Sequence, residues 1–131
     1  MMYVLDTNTL IYFFKGMGNV ATHLFEHSPK EIAIPSIVVY ELRVGIAQSS
    51  SPEKREKQLQ TLLSNVQVLD FTCKEAATSA LLRAKLEAKG ELIGPMDTLI
   101  AGYALAHNYT LVTHNTKEFE KIENLKSTDW F

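Results

Sequence analysis

A chain of 131 residues is long enough for one domain and short for two. Hydrophobic residues make up 46% of it, which is enough for a core that needs no disulfide bonds or structural metal ions. The charged fraction of 21% argues against intrinsic disorder. The formal net charge of −2 excludes a strongly basic protein held on nucleic acid by bulk charge alone, but it allows a local basic patch.

Residues 3–5 form a short buried-strand candidate that ends at Asp6, and residues 7–15 follow as a helix. A second strand is predicted over residues 31–34, stopped by Pro35. These first elements already show the alternation of short apolar runs with longer helical ones that continues along the chain.

The middle of the chain repeats this alternation. Ser36 is expected to cap a long helix whose apolar stripe extends to Gly45, and residues 53–63 form a helix with a charged outer face. A third strand is predicted over residues 66–69, and residues 72–89 form a long amphipathic helix.

The last third contains the most apolar helix, which is expected to start at Asp97 and run over residues 97–106. A fourth strand follows over residues 110–113, and a short helix is expected near Glu118. Alternating strands and helices predict an α/β domain over residues 1–131, with helices on both faces of a mainly parallel sheet of four to five strands.

One cysteine, Cys73, excludes an intramolecular disulfide and a cysteine-rich zinc site, and it fits a reducing compartment. The apolar runs are too short to span a bilayer, and the first residues lack the basic start and long apolar stretch of a signal peptide. The sequence therefore predicts a soluble cytoplasmic protein without a membrane partner.

Four carboxylates occupy unusual positions: Asp6 at a strand end, Glu41 on an apolar helix stripe, Asp97 at a helix start and Glu118 after the fourth strand. Each also has a structural explanation. Asp6 and Asp97 can cap helices, Glu41 can pair with Arg43 or tilt to the surface, and Glu118 can be a solvated helix residue.

If Asp6, Glu41 and Asp97 converge at the carboxyl edge of the sheet, their repulsion is severe, roughly 4 kcal/mol for two unit charges about 4 Å apart. A divalent cation removes that cost, and oxygen-only ligands favour Mg²⁺ or Mn²⁺ over zinc. Such ions, bound by a few carboxylates and several waters, are typical of enzyme sites that catalyse reactions of phosphate esters.

The sequence resembles the PIN-domain proteins through three motifs that follow in order at family-like spacing: YVLDTNTLI at residues 3–11, GPMDTLIAG at 94–102 and LVTHNTKEF at 111–119. The run LKSTDWF at residues 125–131 is similar to one branch, the VapC toxins of bacterial type II toxin–antitoxin modules. The resemblance covers essentially the whole chain and implies a PIN-like α/β/α sandwich with metal-dependent ribonuclease activity.

Carried over residue by residue, the resemblance matches the family's acidic triad to Asp6, Glu41 and Asp97 and its fourth acid, often Asp, to Glu118. It implies that Asp6 and Asp97 are metal ligands, with Mg²⁺ expected and Mn²⁺ as the alternative. Because the side chain of Glu118 is longer than that of Asp, the resemblance does not decide whether Glu118 contacts the metal.

Four polar residues match family positions that orient the acids or the scissile phosphate: Thr7, Asn8, Thr113 and Asn115. Capping and turn hydrogen bonds are their structural alternative. His114 stands where the family varies, and it is a candidate RNA contact rather than a catalyst.

The resemblance also implies partners: RNA, expected to be initiator tRNA cut in its anticodon loop, a VapB-type antitoxin and a second copy in a homodimer. The antitoxin is expected to place a helix or extended tail in an apolar groove and a basic side chain in the acidic site. The serious alternative is a catalytically inactive PIN-fold interaction or RNA-binding module.

Two other enzyme classes fit less well. A haloacid-dehalogenase-type phosphotransferase needs a second Asp two residues after the first, where this chain has Asn8. A response-regulator receiver needs an acidic pair near the first strand and a Lys after a late strand, and neither is present where required.

Overall fold

The computed structural model describes all 131 residues and contains five strands and seven α-helices. The strands are β1 Tyr3–Leu5, β2 Ile32–Pro35, β3 Gln67–Leu69, β4 Thr110–Val112 and β5 Lys126–Thr128. The helices are α1 Thr7–Lys15, α2 Val20–Glu26, α3 Ser36–Ala47, α4 Pro52–Leu63, α5 Cys73–Ala88, α6 Pro95–His107 and α7 Thr116–Phe119, and a 3₁₀ turn covers Pro29–Glu31.

The five strands form one sheet in the order β3-β2-β1-β4-β5, and every neighbouring pair is parallel. This confirms the predicted α/β class, with five strands and no antiparallel pair. The order reverses next to β1, which lies between β2 and β4. In open parallel sheets such a switch point leaves a crevice outside the carboxyl ends of the strands, and ligands commonly bind there.

The core lies on the three central strands, which are buried on both faces. Val4, Ala33 and Leu111 have no exposed surface, as expected for strands covered by helices on each side. The outer strands are different, because Val68 in β3 is 42% exposed and β5 has two exposed residues. The apolar centre therefore fixes the positions of β1 and β4, from whose ends Asp6 and Thr113 extend.

Two predicted boundaries around β2 and α3 were wrong. Pro35 does not stop the strand, because it pairs with Leu69 of β3 in extended geometry, with φ −65° and ψ 147°. Pro35 also occupies the N-cap position of α3, so Ser36 is the first helical residue and not the cap. The Ser36 hydroxyl instead accepts a hydrogen bond from the Phe71 backbone N–H at 3.3 Å.

The start predicted for α6 was also wrong. The helix begins at Pro95, with Gly94 as its N-cap, so Asp97 lies inside the first turn and does not cap the helix. Proline is favoured in the first turn because its missing N–H needs no partner there. None of the helices is both long and apolar enough to cross a membrane.

Candidate active site

Asp6 lies where β1 ends and α1 begins, beside the end of β4. Its backbone N–H donates to the Val112 carbonyl at 3.1 Å, and the Thr9 hydroxyl donates to the same carbonyl at 3.2 Å. The residue is only 5% exposed. These contacts fix the Asp6 carboxylate at the carboxyl edge of the sheet, close to the segment that follows β4.

The prediction that Asp6 caps α1 is confirmed, but the cap uses only one of the two carboxylate oxygens. Oδ1 accepts a hydrogen bond from the Thr9 backbone N–H at 2.9 Å, which is the usual bond of an N-cap residue. No other side-chain hydrogen bond to Asp6 is present, which leaves Oδ2 without a protein donor. Asp6 can therefore cap α1 and hold a ligand at the same time.

Glu41 extends from α3 toward the same edge. Its Oε1 accepts a hydrogen bond from the Thr7 hydroxyl at 2.5 Å, which joins α3 to the start of α1. The alternative in which Glu41 pairs with Arg43 is wrong, because the guanidinium of Arg43 binds Glu56 of α4 at 2.6 Å. Glu41 thus has an orienting hydroxyl but no cation.

Asp97 is partly buried in the first turn of α6, and its carboxylate has no hydrogen-bond partner. Its pKa is raised from 3.8 to about 6. Burial is the largest cause, followed by the negative charges of Glu118, Asp6 and Glu41 in that order. The other three predicted acids therefore lie close enough to Asp97 to repel its charge.

Three of these acids line one cavity of about 260 Å³ together with two of the predicted polar residues. The cavity is lined by Asp6, Thr7, Asn8, Glu41, Gly94, Pro95, Met96 and Asp97. No Lys, Arg or His lines this cavity, although Lys15 and Arg55 line the neighbouring cavity that Glu41 also borders. The Gly94–Met96 lining was not predicted, although its position just before Asp97 at a helix start was a usable signal.

Glu118, Thr113 and Asn115 lie beside this cavity and do not line it. The Asn115 amide donates to the Glu118 carboxylate, and the Asn115 backbone N–H donates to the Thr113 hydroxyl at 3.1 Å. Thr113 itself is fully buried. Hydrogen bonds thus join the loop after β4 to the first turn of α7, and the charge of Glu118 in that turn acts on Asp97.

The acidic cavity fits a hard divalent cation. Its charged groups are all oxygen donors, and the unpartnered Asp97 carboxylate, strained by like charges, is the kind of group that a cation stabilises. No three His, Cys, Asp or Glu side chains lie near enough together to hold a metal ion between them. Mg²⁺ does not need three such ligands, because it commonly keeps several waters and binds one or two carboxylates.

The PIN domain family model matches residues 3–125 of the chain. Ribonuclease VapC2 of Rickettsia felis is 40% identical over 132 residues, covering 99% of this chain and 98% of that protein. The chain belongs to the VapC ribonucleases of the PIN-domain family. This confirms the family and the enzyme class that the three motifs predicted.

Two further comparisons support the same membership. The tRNA(fMet)-specific endonuclease VapC of Shigella flexneri is 32% identical over 128 residues, covering 98% of this chain and 97% of that protein. The crystal structure of VapBC2 from Rickettsia felis, bound to a DNA fragment from their promoter, contains a chain that superposes with a TM-score of 0.93 at 39% identity and complete coverage of both chains.

Proposed function

We propose that residues 1–131 act as one PIN domain, a Mg²⁺-dependent endoribonuclease and the toxin of a toxin–antitoxin pair, with Mn²⁺ as an alternative ion. The observation that carries this proposal is the cavity lined by Asp6, Glu41 and Asp97 without any basic residue. An inactive interaction module would gain nothing from carboxylates that repel one another, since such charges destabilise the fold.

Asp6 and Asp97 are the proposed metal ligands, and their neighbours orient the other acids. The Thr7 hydroxyl holds Glu41, and the Asn115 amide holds Glu118. When bound, the cation would neutralise charge on the scissile phosphate and lower the pKa of an attacking water. In the proposed hydrolysis, a water oxygen bonds to phosphorus and the P–O3′ bond breaks, which leaves a 3′-hydroxyl and a 5′-phosphate.

The proposed substrate is an unpaired region of RNA, and specifically the anticodon loop of initiator tRNA. A shallow, open edge of the sheet suits a single-stranded loop better than a duplex, because loops present a backbone that can enter such a cavity. The name of the Shigella flexneri relative, tRNA(fMet)-specific endonuclease, supports initiator tRNA as the target. The cytoplasm is the corresponding site of action.

The proposed inhibitor is a VapB-type antitoxin that occupies an apolar groove and reaches the acids. A groove of about 810 Å³ is lined by residues that include Phe13, Phe14 and Phe25. A second cavity of about 280 Å³ shares Phe14 with the groove and Glu41 with the acidic cavity. An apolar segment in the groove could therefore continue toward the carboxylates with a basic side chain. The homodimer remains a prediction.

The function is tested by incubating the purified protein with total RNA and with initiator tRNA, with Mg²⁺ or EDTA, and mapping the ends produced. Asp6→Asn is the informative variant because asparagine is as good an N-cap as aspartate, so α1 and the fold should be retained. We expect cleavage by the wild type with Mg²⁺ and none with EDTA or in Asp6→Asn.

The matched control is Asp70→Asn, the same chemical change at an exposed residue outside the cavity, which should cleave as the wild type does. Cleavage that persists in EDTA or in Asp6→Asn would contradict the mechanism. RNA binding without any cleavage by the wild type would favour the inactive RNA-binding module instead.

A further inference from the structure

Residues 129–131 are anchored to the body of the protein by Trp130. The indole is 4% exposed and stacks on His27 at 5.0 Å between ring centroids, with an interplanar angle of 6°. His23 stacks on it at 5.8 Å, and Tyr3 of β1 packs against it at 5.1 Å. The segment is therefore held firmly against α2 and β1.

Phe131 is also fixed through its backbone. Its carbonyl accepts a hydrogen bond from the Asn19 N–H at 2.5 Å, and its own N–H donates to Asp129 Oδ1 at 2.9 Å. Gly18, at φ +62°, allows this approach, because a Cβ at that position would lie 2.6 Å from the Phe131 carbonyl oxygen. The Phe131 ring is thereby placed in one position beside the loop that follows β4.

The ring placed there stacks on His114. The two centroids are 4.2 Å apart with an interplanar angle of 23°, and Tyr12 packs edge-on against both rings at 5.8 and 5.0 Å. Nδ1 of His114 lies 2.9 Å from Asp129 Oδ2, which fixes the orientation of the imidazole. Even so, the His114 side chain is 45% exposed and Phe131 is 37% exposed. The stack is ordered by the protein yet open to solvent.

This open stack lies on the segment that joins the end of β4 to Glu118. His114 lies between Thr113 and Asn115, the residues that lead from β4 to Glu118. The end of β4 in turn contacts Asp6 through the Val112 carbonyl. An RNA strand with its phosphate at the carboxylates would therefore have a neighbouring nucleotide within the reach of these rings.

We propose that His114 and Phe131 form a stacking platform for an unpaired nucleobase next to the scissile phosphate. The proposal rests on the ribonuclease function proposed above. Unpaired bases of RNA are commonly bound by stacking on aromatic or histidine rings, and a platform already held by Asp129 and Trp130 costs little entropy to use. Stacking tolerates any base, so the platform selects single-stranded RNA and not a particular sequence.

Two substitutions separate stacking from simple support of the segment. His114→Phe keeps a flat ring but loses the bond to Asp129, whereas His114→Asn keeps a polar group for Asp129 but removes the ring. The platform predicts that His114→Asn raises KM for single-stranded RNA about tenfold with a much smaller effect on kcat, and that His114→Phe stays close to the wild type.

The direct readout uses a short single-stranded RNA that the wild type cleaves, with 2-aminopurine replacing one base at a time near the cut. Binding is measured with Mg²⁺ in an Asp97→Asn background so that the probe stays intact. We expect one position next to the scissile phosphate to be quenched, and the quenching to be lost with His114→Asn and retained with His114→Phe.

The sole tryptophan supplies a control for local unfolding, because its emission reports whether Trp130 is still buried. Unchanged KM and quenching in His114→Asn would overturn the platform, as would equal losses in both variants with Trp130 still buried. Absence of RNA cleavage by the wild type would instead overturn the ribonuclease proposal, so the two failures are distinguishable.

Discussion

Glu75 in α5 and Asp97 in α6 are both carboxylates shielded from water, but the protein surrounds them with opposite kinds of neighbour. Glu75 is 2% exposed and accepts hydrogen bonds from the Thr72 N–H at 2.6 Å and the Thr72 hydroxyl at 2.9 Å. Its second oxygen lies 3.1 Å from Nε2 of His107 at the other end of α6. Both oxygens of this buried carboxylate thus have protein hydrogen-bond partners.

The pKa values of the two groups follow from these neighbours. Burial alone would raise the pKa of Glu75, but the hydrogen bonds from Thr72 and the contact with His107 outweigh it and hold the pKa below its usual value. Burial raises the pKa of Asp97 too, and there the nearby acids add to the effect. The lowered pKa of Glu75 means that the fold stabilises its charged form, and the raised pKa of Asp97 means that the fold disfavours the charge there.

The comparison distinguishes Glu75, which stabilises the fold, from Asp97, which is available to bind a ligand. Glu75 forms a capping box with Thr72 and ties the start of α5 to the end of α6. The side chain of Asp97 contributes no hydrogen bond to the fold, and its repulsion with other acids is unfavourable. Perturbed carboxylates that cluster in a cavity are typical of functional sites.

The largest expected effect comes from Asp97→Asn. We expect RNA cleavage to fall by roughly a thousandfold or more, since one charge that the metal and phosphate require is lost. We also expect the metal-free variant to be at least as thermally stable as the wild type. The measurement pairs initial cleavage rates with thermal unfolding in EDTA and in Mg²⁺.

The same experiment contains its own control. Mg²⁺ should raise the unfolding temperature of the wild type by mass action and have less effect on Asp97→Asn. A variant that loses both activity and metal-free stability would show that Asp97 belongs with Glu75 as a structural group. That result would remove the contrast on which the site assignment rests.

A smaller and opposite effect is expected at Glu75. Glu75→Ala should lower the free energy of unfolding by about 2 kcal/mol, because it removes the capping box and leaves buried donors without a partner. Activity per folded molecule should stay near that of the wild type. Chemical denaturation measures the loss, and the exposed Glu87→Ala substitution in the same helix serves as the control. Loss of activity without loss of stability would contradict the structural assignment.

Much of this fold could be predicted from local pattern alone. The bounds of β1 and α1 are those predicted, since a short apolar strand, an Asp N-cap and a glycine at the helix end are all local signals. The seven-residue helix Val20–Glu26 was missed, because it has no side-chain cap and only two buried positions. Pro35 was misjudged because its strand pairing depends on β3, which is distant in sequence.

The acids of the site could be named from the sequence, but their partners could not. Arg43 pairs with Glu56 thirteen residues away, and His114 with Asp129 fifteen residues away, and neither separation corresponds to a helical or strand repeat. The spacing of Thr72 and Glu75 indicates a capping box at the start of α5, but it does not reveal the contact of Glu75 with His107, because His107 comes from another helix. Pairings of this kind exist only after tertiary packing.

The smallest expected effect is on the pH dependence of stability without metal. The folded-state pKa of Asp97, about 6, lies above the unfolded value of 3.8, so between these values the folded protein retains a proton that the unfolded chain has released. Lowering the pH from about 7.5 to about 5 should therefore stabilise the wild type through this group. Glu75 does not interfere, because its lowered pKa makes its contribution complete above 4.5 and lost only at more acidic pH.

Asp97→Asn has no carboxyl to titrate at this position, so the difference between the two proteins isolates Asp97 from the other titrating groups. Between about pH 7.5 and about pH 5 only roughly half of the full shift is expressed, about 1.4 kcal/mol, and because Asp97 is partly exposed, solvent screening reduces this to about 0.5 kcal/mol. That amounts to a change of about 2 °C in the Tm difference measured in EDTA across this pH range. If the Tm values of both proteins move in parallel, Asp97 is not repelled by its neighbours, and the acidic cavity loses the electrostatic basis for attracting a cation.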